Sequence, residues 1–139
     1  MIVVLDASAA AEIAGKTQAG IDIINVLMRS EQTVAPELYI TEICNYMWKT
    51  GRKNKGIADV CIEIAGECID YIDEYVHADE LWKEALRLAQ DLDHPVYDML
   101  YAVLARRHDA TLLTMDAKLC EICGKLSIRF KNPGSAVIP

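Results

Sequence analysis

The chain has 139 residues, 53% apolar and 25% charged, and a formal net charge of −7. That length predicts a single domain over residues 1–139, with a core large enough to need no disulfide or metal staple. The acidity excludes a nucleic-acid binder built on a broad basic patch, and no segment approaches the roughly 18 apolar residues of a membrane span.

Ile2-Val3-Val4-Leu5 is a β-branched run that predicts a buried strand ending at Asp6. The chain opens directly on this run, with no basic n-region and too few apolar residues for a signal sequence, so a cytoplasmic location is expected. Asp6-Ala7-Ser8 then starts an Ala-rich helix to about Ala14, with Asp6 or Ser8 as its cap. Gly15 to Gly20 reads as a break, and Ile21 to Arg29 as a second amphipathic helix. Thr33-Val34-Ala35 predicts a second strand. Pro36-Glu37 opens a helix with Leu38, Ile43 and Met47 on its apolar side, giving way to a basic, polar turn at Lys49-Thr50-Gly51-Arg52-Lys53-Asn54-Lys55.

Ile57, Cys61, Ile64, Cys68, Ile69 and Ile72 lie on one face of a long helix. Glu74-Tyr75-Val76 predicts an edge strand, and Leu81 to Leu92 a helix ended by His94-Pro95. Val96 to Ala105 is apolar almost all round, as a buried central helix is. Thr111 to Thr114 predicts a strand, Asp116 opens a helix to about Gly124, and Ile128-Arg129-Phe130 is a last strand. Asn132-Pro133-Gly134 closes the ordered core. Short apolar strands alternating with helices predict an α/β protein with a mostly parallel sheet.

Five cysteines, Cys44, Cys61, Cys68, Cys120 and Cys123, are an odd number falling mostly in apolar helical patterns, as reduced, structural thiols do. Cys120 and Cys123 form a C-x-x-C, but no second Cys or His pair follows to complete a zinc site.

Four acids stand where apolar segments turn toward helices: Asp6, Glu42, Asp98 and Asp116. Asp6 and Asp116 each follow a strand and precede a helix, junctions that collect at the carboxyl edge of a parallel sheet. Asp98 falls in the first turn after Pro95. Any one of these three could be an N-cap. Glu42, mid-helix, cannot. A single carboxylate in such apolar surroundings is costly, whereas several converging ones make a site for a hard divalent cation. Partial positive charge at helix N-termini is expected to keep Asp6, Asp98 and Asp116 ionised near neutral pH.

The segments Val4-Leu5-Asp6-Ala7-Ser8, Pro36-Glu37-Leu38 with Glu42-Ile43-Cys44-Asn45, Val96-Tyr97-Asp98-Met99-Leu100-Tyr101 and Leu112-Leu113-Thr114-Met115-Asp116-Ala117-Lys118-Leu119 occur in this order. Together they closely resemble the motifs of the PIN-domain family, in particular its VapC-type toxin ribonucleases, across residues 2 to about 130. The resemblance implies a three-layer α/β/α fold with a short, mainly parallel central sheet. It implies that Asp6, Glu42, Asp98 and Asp116 converge on Mg²⁺ or Mn²⁺, with Ser8, Asn45 and Thr114 as polar supports. A further acid or amide that some members carry after the last aspartate is not matched, since Lys118, Cys120 and Glu121 stand there.

Four carboxylates suit metal-assisted hydrolysis of a phosphodiester, in which no protein nucleophile is needed. The histidines, His77, His94 and His108, agree: none has a partnered catalytic spacing, and His94 reads as a loop residue. By its resemblance the chain would cut RNA to leave a 5′-phosphate and a 3′-hydroxyl. Lys49, Arg52, Lys53 and Lys55 are candidate contacts to RNA phosphates, whereas Arg106 and Arg107 read as favourable helix C-terminal charges. A toxin of this family would also line a hydrophobic groove with the helices around Tyr39–Trp48 and Ile57–Ile72, for a small antitoxin and for homodimerisation. The alternatives are a catalytically silent PIN-like binding module and a housekeeping RNA-processing nuclease. An aspartate-nucleophile phosphatase is disfavoured because position 8 is serine rather than a second acid, and a receiver domain because its paired early acids are lacking.

Overall fold

The structure, a computed structural model, describes residues 1–133; Gly134, part of the turn expected to close the core, lies outside the described residues. Five strands, β1 (Ile2–Leu5), β2 (Gln32–Pro36), β3 (Glu74–Val76), β4 (Thr111–Leu113) and β5 (Phe130–Lys131), form one sheet in the order β3-β2-β1-β4-β5. Every pairing is parallel, with Val4 opposite both Val34 and Leu112 and Leu5 opposite Leu113. Val3, Val4, Leu5, Val34, Leu112 and Leu113 are wholly buried. That follows from helices covering both faces, which requires continuous apolar runs rather than alternation. Edges are short, three residues in β3 and two in β5, which limits strand addition by other chains.

The crossovers divide the helices between the two faces of the sheet. α1 (Ala7–Ala14), α2 (Gln18–Arg29), α3 (Leu38–Lys53) and α4 (Ala58–Asp70) pack on one another on one face. α5 (Ala78–Leu92), α6 (Val96–Arg107) and α7 (Ala117–Lys125) cover the other. The result is the α/β/α layering expected. α6 is buried from Met99 through Ala105, as its all-round apolar sequence predicts. Among the described residues no helix is long and apolar enough to cross a membrane.

Four differences in element boundaries from the sequence reading have local reasons. α2 starts at Gln18 rather than after Gly20, because the Thr17 hydroxyl accepts the Gly20 amide at 3.0 Å and caps the helix earlier. Gly20 is then a contact residue: a Cβ there would lie 2.2 Å from the Glu12 carbonyl oxygen of α1. α3 runs through Lys49-Thr50-Gly51-Arg52-Lys53 instead of dissolving into a turn. Met47 holds this end in the core, and Asn54 ends it, accepting the Gly56 amide to cap a 3₁₀ turn at Lys55–Ile57. The long helix expected from Ile57 to Ile72 is correspondingly shorter, Ala58–Asp70. The last strand begins at Phe130, not Ile128, because Ser127 adopts φ 56° and Ile128 turns into the core. All five cysteines are free thiols, Cys61, Cys68 and Cys123 buried.

Candidate active site

β1 sits at the point where the strand order reverses, with β2 on one side and β4 on the other, and ligand sites of open α/β sheets collect at the carboxyl ends there. Asp6 follows β1 at that edge, its amide donating to the Leu113 carbonyl at 3.0 Å and so extending the ladder by one residue. Its carboxylate is buried and does not cap α1. Instead the Ser8 hydroxyl and the Thr114 hydroxyl both donate to Oδ2, each at 2.6 Å. The two hydroxyls stand 3.3 Å apart, and they also accept the amides of Met115 and Asp116, each at 3.0 Å. The loops after β1 and β4 are thereby laced together.

Asp116 does cap its helix: Oδ1 accepts the Lys118 and Leu119 amides at 2.8 and 3.2 Å. Glu42 lies in the second turn of α3, and its Oε1 accepts the Tyr101 hydroxyl at 2.7 Å. Asp98 is in the first turn of α6, with Oδ2 3.5 Å from Nε2 of His94. A common pattern results. In each of the four carboxylates one oxygen is engaged and, among the described residues, the other receives no side-chain hydrogen bond. Among the described residues no lysine or arginine pairs with any of them.

Asp6, Glu42 and Asp98 each feel the charge of acidic neighbours. Burial pushes the Glu42 carboxyl up to about 7 against the lowering bond from Tyr101, and Asp6, Asp98 and Asp116 add to the rise. Burial first, then the charges of Asp116 and Asp6, push Asp98 up to about 6, with His94 pulling the other way. Asp6 is raised by burial above all, opposed by the Ser8 and Thr114 bonds and reinforced by Asp116. Desolvation is the largest influence at both Asp6 and Asp98. Among the described residues no three Asp, Glu, His or Cys side chains stand close enough to grip a single metal ion as they lie, and repulsion between like charges opposes closer approach.

The chain matches the model of the PIN domain over residues 3–125. The chain belongs to the PIN domain family. No curated protein matches it in sequence. Among solved structures it is similar to PAE2754 from Pyrobaculum aerophilum, with a TM-score of 0.69 and 21% identity, over 88% of this chain and 84% of that one. It is also similar to VapBC2 from Rickettsia felis, which was solved bound to a DNA fragment from its promoter; the TM-score is 0.67 and the identity 14%, over 94% of this chain and 98% of that one. At these identities the likeness is one of fold, and it agrees with the PIN α/β/α architecture.

Within this PIN domain Ser8 and Thr114 stand beside Asp6. Asn45, one turn beyond Glu42, is exposed and hydrogen-bonds to none of the four acids. Lys49, Arg52 and Lys53 ride the exposed end of α3, Arg52 with its guanidinium 4.8 Å from the centre of the Trp48 ring. Arg106 and Arg107 both bond to Glu84 of α5, a partner that sequence reading did not supply. Two further residues at the site were given no role by the motifs. His94 is the loop residue expected, and it also faces Asp98, a contact that its i,i+4 spacing could have suggested. Tyr101 carries the polar tip on the buried stretch of α6, and a phenol among aliphatic residues is the signal for it.

Proposed function

We propose that this PIN domain is a metal-dependent endoribonuclease, in which Asp6, Glu42, Asp98 and Asp116 hold Mg²⁺ or Mn²⁺, and that it is the toxin of a toxin–antitoxin pair. The observation that carries this reading is the carboxylate pattern: four acids around the end of β1, each with one oxygen engaged and, among the described residues, the other without a side-chain hydrogen bond, and none paired with lysine or arginine. The donor set fits a hard divalent cation in kind, all oxygen and all anionic. When bound, such a cation supplies an acidified water and stabilises charge developing at phosphorus.

The chain's own residues hold that arrangement. Ser8 and Thr114 fix Asp6, the α7 amides fix Asp116, and α3 carries Glu42 over the edge. Asn45 has an unengaged amide available to a metal-bound water or to substrate. Lys49, Arg52, Lys53 and Lys55 supply the positive charge that RNA phosphates need and the carboxylate site lacks. Hydrolysis then leaves a 5′-phosphate and a 3′-hydroxyl.

Support for an antitoxin comes from the groove between α3 and α4, about 800 Å³, floored by Met47, Cys61, Ala65 and Ile69 and edged by Trp48 and Ile62. Its walls suit the apolar face of a small partner's helix, and the structural relative VapBC2 is itself a complex. Basic residues on that partner match the net charge of −7. A cytoplasmic homodimer completes the reading.

The test is RNA cleavage by purified protein with Mg²⁺, Mn²⁺ or EDTA, comparing wild type with Asp6→Asn and Asp98→Asn. Cleavage should need metal and fall by roughly 100-fold or more in each variant. Cleavage in EDTA, or full activity in both variants, rejects the mechanism; a pull-down from the native cells that returns no small partner rejects the toxin assignment.

A further inference from the structure

Between Met99 and Ala105, α6 is buried without interruption and carries one polar side-chain group, the phenol of Tyr101. Tyr101 is 1% exposed, so phenylalanine would fill the same space, and the hydroxyl needs a reason to be there. The molecule offers a comparison. Tyr39 and Tyr75 donate to main-chain carbonyls, those of Cys68 at 2.6 Å and Ile69 at 2.7 Å. Tyr101 donates to a charged side chain, Oε1 of Glu42, at 2.7 Å.

The choice of donor has a consequence. Glu84, away from the site, is held by two arginines, and its charge is spent on them. A phenol orients a carboxylate without cancelling its charge, and Tyr101 is itself held above the ordinary tyrosine range, by burial first and by the nearby carboxylates, so it remains a donor. Glu42 needs such a hold because its carboxylate hangs on a flexible stem midway along a helix, with no cap geometry to fix it. We infer that Tyr101 is a positioning residue for Glu42, tying down Oε1 so that Oε2 is presented to the cation. The inference rests on the metal-dependent reading above.

The experiment measures Mn²⁺ affinity by calorimetry on the full-length wild type, Tyr101→Phe, Glu42→Gln and the double variant, with melting temperatures in EDTA as the control for folding. Loss of an outer hydrogen bond of this kind is expected to weaken Mn²⁺ about 10–100-fold. The EDTA melting temperature should stay within a few degrees, and kcat should fall while KM for RNA holds. In the Glu42→Gln background, Tyr101→Phe should cost nothing further. Equal Mn²⁺ affinity in wild type and Tyr101→Phe, or the same loss with and without Glu42, overturns the assignment. Binding abolished by Asp6→Asn yet untouched by Tyr101→Phe removes Tyr101 alone and spares the metal site. No Mn²⁺ binding by wild type removes both. A readout on wild type needs no variant: saturating Mn²⁺ should shift the near-ultraviolet tyrosine difference spectrum, and an unmoved spectrum also overturns the proposal.

Discussion

His94 faces Asp98 across the turn between α5 and α6, Nε2 to Oδ2 at 3.5 Å, with its side chain only 9% exposed. Its other nitrogen lies 3.0 Å from the Pro95 carbonyl. Donation by Nδ1–H to that carbonyl sets the ring so that Nε2 addresses the acid. The imidazole's charge lowers the Asp98 carboxyl, which burial has pushed up to about 6. His94→Ala should therefore raise Asp98 further. Carboxyl carbon NMR of the metal-free protein reads this directly, and an Asp98 titration that does not move upward rejects the coupling.

The stability of the metal-free protein should fall as pH rises. Glu42 goes from an ordinary 4.5 to about 7 in the fold, and Asp98 from 3.8 to about 6. A raised acid binds more protons folded than unfolded, so the stability these two groups contribute is fully present below about 4 and is lost as pH rises to about 7. The loss is on the order of 1–2 kcal/mol, discounted because both side chains are partly solvated. Urea melts across this range check it. Glu42→Gln should flatten the decline, and Mg²⁺ should oppose it at the upper end.

Thr114→Val keeps the shape of a fully buried side chain and deletes its hydroxyl. Asp6 Oδ2 then loses one of two donors and the Asp116 amide loses its acceptor. A cost of about 1–3 kcal/mol is expected, typical of a buried polar group left short of a partner. Ser8→Ala should cost less, its site being only part-buried. Because both hydroxyls serve one oxygen, the double variant should depart from additivity, which denaturant melts resolve.

Gly20→Ala tests the close crossing of α1 and α2. Away from contacts, alanine stabilises a helix by about 1 kcal/mol over glycine. Here the new methyl meets the Glu12 carbonyl at 2.2 Å, main chain that cannot step aside. A net loss of about 1–3 kcal/mol is expected; a stabilised variant shows that the helices can separate freely.

The sheet and its layers were legible because buried parallel strands write themselves as short apolar runs, and Val96 to Ala105 announced a helix covered on all sides. Asp6, Ser8 and Thr114 stand in motif segments, and the hydrogen bonds that link them are a feature of the fold that no motif spells out. Helix ends were harder. Thr17 capping α2 and the helical Gly51 both depend on neighbours that local pattern does not contain. Tyr101 and His94 were missed for the same reason in sharper form: each acquires meaning from one acid, and for Tyr101 that acid is 59 residues away in sequence. The ion pairs of Arg106 and Arg107 with Glu84 likewise join helices that sequence alone does not bring together.

The bond from Thr114 to Asp6 joins positions 108 residues apart. Neighbouring strands β1 and β4 come from opposite ends of the chain, so the site has no early, local precursor. Loop-closure entropy is spent before any of it is recovered. During synthesis, a ribosome that has not yet delivered β4 holds a chain with Asp6, Glu42 and Asp98 but nothing to bring Asp6 and Asp116 together. For the toxin proposed here, this topology delays activity until β4 has been translated, so products that stop short of β4 lack the assembled site.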